Sequence, residues 1–118
     1  MAKRSAEPRF RKLYDHARKK PEAFEDHPWG ETVFKVNGKV FVFLGHPESS
    51  GVGLTVKAPP DELDALLELP YVHRAKYVGR FGWVSLTVED DEALALALEL
   101  IDDSYDLIAP KRLRTAQR

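Results

Sequence analysis

Glu31-Thr32-Val33-Phe34-Lys35-Val36-Asn37-Gly38-Lys39-Val40-Phe41-Val42-Phe43-Leu44 is the stretch that decides the fold. Two β-rich runs flank Asn37-Gly38. That dipeptide is the strongest short hairpin signal, because a type I′ turn needs φ > 0 at both central residues. A two-residue loop also sets a register, with Val36 opposite Lys39, Phe34 opposite Phe41, and Thr32 opposite Phe43. Side chains alternate along a strand, so these residues share one face of the sheet. Val33, Lys35, Val40, Val42 and Leu44 take the other. One face is expected to be aromatic and mixed, the other mainly aliphatic.

Working back from the hairpin, a helix is expected over residues 8–20, with Pro8 in its first turn and residues 1–7 frayed. Phe10, Leu13, Tyr14 and Ala17 form its apolar stripe at helical spacing. Pro21 interrupts the pattern, leaving at most a short extra turn to Phe24, and residues 26–30 read as a turn. Working forward, residues 45–51 read as a surface loop containing His46. A strand over residues 52–58 alternates Val52, Leu54, Val56 and Ala58 against Gly53, Thr55 and Lys57. Asp61-Glu62 opens a short helix carrying Leu63, Leu66 and Leu67, which Pro70 stops. A fourth strand is expected over 73–78, a tight loop at Gly79-Arg80-Phe81-Gly82, and a fifth strand at Trp83–Val88. The acidic run 89–92 opens a last helix striped by Leu94, Ala97, Leu98, Ile101, Tyr105 and Ile108.

The order is α-β(3)-α-β(2)-α. It implies a two-layer α+β fold, an antiparallel five-stranded sheet with helices on one face. If the aliphatic faces lie under the helices, Phe34, Phe41, Phe43, Thr55, Lys57, Trp83, Ser85 and Thr87 are left on the bare face.

The chain has 118 residues, enough for one domain with one core, and 43% hydrophobic residues argue against wholesale disorder. It has no cysteine, which excludes disulfides, thiolate metal sites and a cysteine nucleophile. No apolar run is long enough to span a membrane, and no apolar core follows the first residues. A cytoplasmic protein is expected. The net charge of −1 hides an asymmetry: residues 1–20 carry +6, residues 111–118 carry +4, and the middle carries −11. Two cationic arms suit a polyanion, and they equally suit attraction to the acidic body.

At this point a family emerges. Pro28-Trp29-Gly30, Val33-Phe34-Lys35-Val36, Gly38-Lys39 and Phe41 resemble the opening motif of the MmcQ/YjbR family. Leu54 to Lys57 before proline, Tyr77 followed by a basic residue and then Trp83, and Ile101-Asp102-Asp103-Ser104-Tyr105 resemble its later marks. The resemblance spans residues 10–113. It implies a fold similar to type III secretion chaperones and a DNA-binding role, the function commonly given to members. One departure is the loop before Trp83, where the family usually has a histidine and this chain has none.

The residues themselves point toward binding. Arg9, Arg11 and Lys12 make the first helix cationic. Lys39, Lys57 and Arg80 border aromatic residues, and Trp83 lies on a polar strand face. Rings that stack on bases and cations that meet phosphates are what a single-strand platform needs. The expected partner is DNA or RNA. The alternative is a chaperone-like interaction module using the aromatic face for a protein partner or a second copy. A cleft beside Trp29 and Trp83 for a small ligand ranks third. No catalytic residue, cofactor, metal site or membrane partner is expected. His16, His27, His46 and His73 are scattered without metal-ligand spacing, and no phosphate loop or nucleophile elbow occurs.

Overall fold

The structure, a computed structural model, describes residues 2–48 and 51–114, with the backbone alone described for residues 2–5. Helix α1 (Ala2–Arg18) leads to strands β1 (Phe24–Asp26), β2 (Thr32–Val36), β3 (Lys39–Glu48) and β4 (Gly51–Lys57). Short helix α2 (Leu63–Leu67), strands β5 (Val72–Arg74) and β6 (Trp83–Val88), and helix α3 (Asp91–Ile108) complete it. The α+β class, the antiparallel pairing and the three helices are as expected. The sheet has six strands, in the order β1-β2-β3-β4-β6-β5. The extra strand is β1, where the sequence suggested only a turn. Three residues are too few to display an alternating pattern, and β1 exists because the edge of β2 pairs with it.

The turn forms as expected, with φ +53° at Asn37 and +76° at Gly38. Val36 faces Lys39 and Lys35 faces Val40, but Phe34 then faces Val42, not Phe41. Phe41 is the extra residue of a β-bulge. Beyond a bulge the parity changes, so Phe34 and Phe41 both lie buried in the core beneath the helices. Phe34 packs edge-on against Tyr14 of α1, and Phe41 against Tyr105 of α3. The expectation that these two rings occupy the bare face is therefore wrong. Val33 and Val40 take that side instead, and of the three hairpin phenylalanines only Phe43 remains there.

The bulge interrupts the ladder between β3 and β4, which ends at Val42↔Val56. Continued by one step, it would pair Phe41 with Lys57. Ser104 of α3 replaces that step. Its hydroxyl donates to the Phe41 carbonyl (2.6 Å) and accepts from the Lys57 amide (3.0 Å). One buried side chain thus satisfies two backbone groups that the bulge strands away from water. Tyr105 adds a tie of its own, its hydroxyl donating to the Pro21 carbonyl at 2.7 Å.

Strands β4 and β6 keep their expected parity: Val52, Leu54, Val56, Val84, Leu86 and Val88 are buried under α1 and α3. Strand β3 runs through Gly45, His46, Pro47 and Glu48, which the sequence suggested as loop. A Cβ at Gly45 would lie 2.9 Å from the Gly53 carbonyl oxygen, so glycine permits the close approach of β3 to β4. Helix α1 begins before Pro8, and Ala6 is fully buried, so residues expected to fray reach the core. Asp90 caps α3, its carboxylate accepting from the Ala93 amide at 2.8 Å. Lys111–Leu113 form a 3-10 turn, and Leu113 packs on the core. Residues 115–118 of the basic tail and Ser49-Ser50 lie outside the described residues.

Candidate nucleic-acid interface

The bare face is crossed by a row of side chains from adjacent strands: Val33, Phe43, Thr55, Ser85 and His73 are register partners. Thr55 and Ser85 share a hydrogen bond of 2.8 Å. Trp83 packs edge-on to Phe43, with centroids 5.7 Å apart, and Lys57 is its cross-strand partner. Trp83 is thus half-buried on the bare face, with part of its ring used in packing.

Two hollows meet on this row, both lined by Glu31, Phe43, Thr55 and Ser85. One has a volume of about 480 Å³ and reaches Trp29, His46 and the glycines 45 and 53. Those glycines supply no side chains, and their absence forms the depression. The other, about 640 Å³, reaches the segment from His73 to Val78.

An aromatic residue stands at the outer rim of each hollow. Trp29 is 96% exposed and Tyr77 is 92% exposed. Both have left-handed backbones, with φ of +54° and +68°. Such a conformation is uncommon for bulky residues, and stored strain of this kind concentrates at ligand sites. The turn carrying Trp29 is anchored from below, where His27 Nε2 lies 2.6 Å from Glu25 Oε2 and Nδ1 lies 3.4 Å from Thr32 Oγ1. Glu25 also accepts from the Tyr14 hydroxyl, and that bond, with burial, holds the Tyr14 phenol above its usual range.

Charge on the two sides of the sheet differs. The helical layer holds most of the acidic groups, and cations from the chain ends answer them. Arg9 reaches Asp91, Lys20 and His16 meet Asp102, and Arg112 forms a two-pronged pair with Glu22. On the bare side Lys35 is tied to Asp26 at 2.7 Å, a bond that pulls the Asp26 carboxyl below its ordinary range. Lys57 is half-buried there and Lys76 is exposed beside the second hollow, while Arg74, the register partner of Val84, and Arg80, in the turn before β6, are exposed at the sheet's edge. No acidic residue occurs between Glu68 and Glu89. The Arg80 guanidinium lies 4.9 Å over the Phe81 ring.

The residues singled out in the sequence therefore divide. Lys57 and Trp83 belong to the bare side, and Arg80 lies in the turn before β6. Arg9, Arg11 and Lys12 ride on α1, across the sheet, with Arg11 over the Tyr14 ring. Lys39 projects from the hairpin tip. Sequence reasoning quoted Tyr77 as a family mark and gave no binding role to Tyr77, Arg74, Lys76 or Glu31. The alternation Arg74-Ala75-Lys76-Tyr77 was the available signal, and it read as strand. Among the described residues no group of His, Asp and Glu is arranged to hold a metal ion, and no helix is long and apolar enough to cross a membrane.

Fold and site together define a two-layer α+β protein in which, among the described residues, no helix covers one sheet face, with exposed aromatic residues at that face's rim. The YjbR family model matches residues 18–107, and the chain belongs to that family. A Deinococcus radiodurans protein of known crystal structure is similar at a TM-score of 0.71 and 22% identity, over 90% of this chain and 82% of its own. A Pseudomonas syringae protein of known crystal structure is similar at a TM-score of 0.63 and 22% identity, over 83% of this chain and 97% of its own. At that identity the likeness is one of fold. None of the curated proteins matches the chain.

Proposed function

We propose that the chain binds single-stranded nucleic acid, DNA or RNA, across the bare face of its sheet. One observation carries this reading. Lys57 and Lys76, which have no acidic partner among the described residues, border the same face as the exposed ring of Tyr77, with Arg74 and Arg80 at the sheet's edge, whereas Arg9, Lys20 and Arg112 are engaged by acids elsewhere in the fold. Rings stack on bases, and cations follow the phosphates. Single strands are favoured because stacking needs unpaired bases and because, among the described residues, no helix projects from this face to enter a groove. Arg9, Arg11 and Lys12 play no part in this surface.

The test is a salt titration of oligonucleotide binding by fluorescence anisotropy. Single-strand binding has a slope in log K against log[salt] of about −0.7 per phosphate, so four contacts give about −2.8. Duplex should bind more weakly. Affinity that ignores salt, or that is equal for duplex and single strand, removes the proposal. A protein partner or a second copy is the second reading, favoured by the exposure of Trp29 and Tyr77, since such rings anchor interfaces. Its signature is association without that salt slope.

A further inference from the structure

We propose that the glycine-floored hollow beside Trp29 is a nucleobase pocket, and that the Glu31 carboxylate selects bases carrying an amino group. The inference rests on the single-strand reading and adds to it a means of discrimination.

The hollow's volume, about 480 Å³, falls in the range of small-ligand sites. Its floor lacks side chains at Gly45 and Gly53, and a Cβ built on Gly53 meets nothing closer than 3.9 Å. The phenyl ring of Phe43 and the hydrogen-bonded hydroxyls of Thr55 and Ser85 flank it. Trp29 stands at the rim on an anchored turn, with its indole making no ring contact among the described residues. A flat floor, an indole at the rim and hydroxyls at one side suit a planar ring with polar edges.

Glu31 narrows the choice of ring. It lines both hollows, is exposed, and its carboxylate has no partner among the described residues. An ionised carboxylate only accepts hydrogen bonds, and it repels phosphate. The backbone must therefore run along the cationic side, near Lys57 and Lys76, leaving a base edge to meet Glu31. Guanine offers two adjacent N–H donors to the two carboxylate oxygens. Cytosine and adenine offer an amino group. Uracil and thymine offer one N–H between two carbonyl oxygens, which the carboxylate repels. The expected order is guanine first, cytosine and adenine next, and uracil and thymine last.

The experiment uses the full chain with Trp83→Phe, so that Trp29 is the sole indole, and has two arms. In the first, guanosine and uridine, which carry no phosphate, are titrated against indole fluorescence. Guanosine should quench saturably and uridine should not. In the second, a thymidine homo-oligomer is compared with the same strand carrying one central dG. The dG strand should bind about ten- to hundredfold more tightly, the range of a good two-pronged base contact. Glu31→Gln should erase that preference, raising the homo-oligomer's affinity as the repulsion of thymine's carbonyl oxygens is lost, and Gly53→Val should abolish quenching by filling the floor. Equal affinity for the two strands, with no saturable quenching by guanosine, overturns the pocket even if both strands bind with the expected salt slope. Quenching by guanosine alongside salt-independent strand binding would instead retain the pocket and remove the strand reading.

Discussion

Ser104→Ala isolates the contact that holds the bulge. The hydroxyl is the partner of both the Phe41 carbonyl and the Lys57 amide, and Ser104 is fully buried, so no solvent can take its place. Alanine fits the same space but leaves the buried Phe41 carbonyl and the partly buried Lys57 amide without their partner. At about 1–3 kcal/mol for each such group, the loss is about 2–6 kcal/mol. With a urea m-value of about 2 kcal/mol/M, the unfolding midpoint falls by about 1–3 M while m itself is unchanged. Urea unfolding followed by circular dichroism reads both quantities. A loss under about 0.5 kcal/mol, the range of ordinary surface changes, would refute the bridging role.

Other outcomes follow from the same geometry. Asp103 has its pKa raised by burial first and then by Glu62, Asp102, Asp106 and Glu99. Its folded pKa exceeds the unfolded one, so its contribution is present below about pH 4 and lost as pH rises. Asp103→Asn should therefore raise the urea midpoint at neutral pH and leave it unchanged near pH 3; the reverse pattern would contradict the sign. The Tyr14 phenol, raised chiefly by its bond to Glu25, contributes stability below about pH 10 that disappears as pH climbs through its folded value. Tyr14→Phe should flatten the alkaline fall in stability, which midpoints measured on either side of that pH will show. Tyr77→Ala should weaken single-strand binding by about 1–3 kcal/mol without moving the melting temperature, and unchanged anisotropy would exclude stacking there. Charge reversal at Arg74 and Lys76 should weaken strand binding, whereas reversal at Arg11 and Lys12 should not. Equal losses would place the strand on both layers.

Local chemistry was legible in the chain itself. Asn37-Gly38 dictates a turn with φ > 0 twice, the alternation of Trp83–Val88 fixes which of its residues face the core, and Asp90 sits where a helix needs an acceptor. Each of these depends on neighbours a few residues apart. The family, too, was legible from short motifs, and Ser104-Tyr105 among them proves to be the lock on a bulge. What the chain could not disclose depends on distant partners. Phe41 moved to the core because the pairing slips by one residue, and a period-2 pattern inverts whenever that happens. Strand β1 exists only because the edge of β2 is there to bond it. The basic residues of the first stretch read alike in the sequence, whereas folding sets Arg9 beside Asp91 and Lys20, just past α1, beside Asp102, and leaves Arg11 and Lys12 exposed. Trp29 and Tyr77 border one face only in three dimensions, because the order β3-β4-β6-β5 brings segments nearly fifty residues apart to opposite rims of one groove. Sequence carries the conformational preference of each short segment; the tertiary structure decides which side chains remain without a partner, and those are the ones available to a ligand.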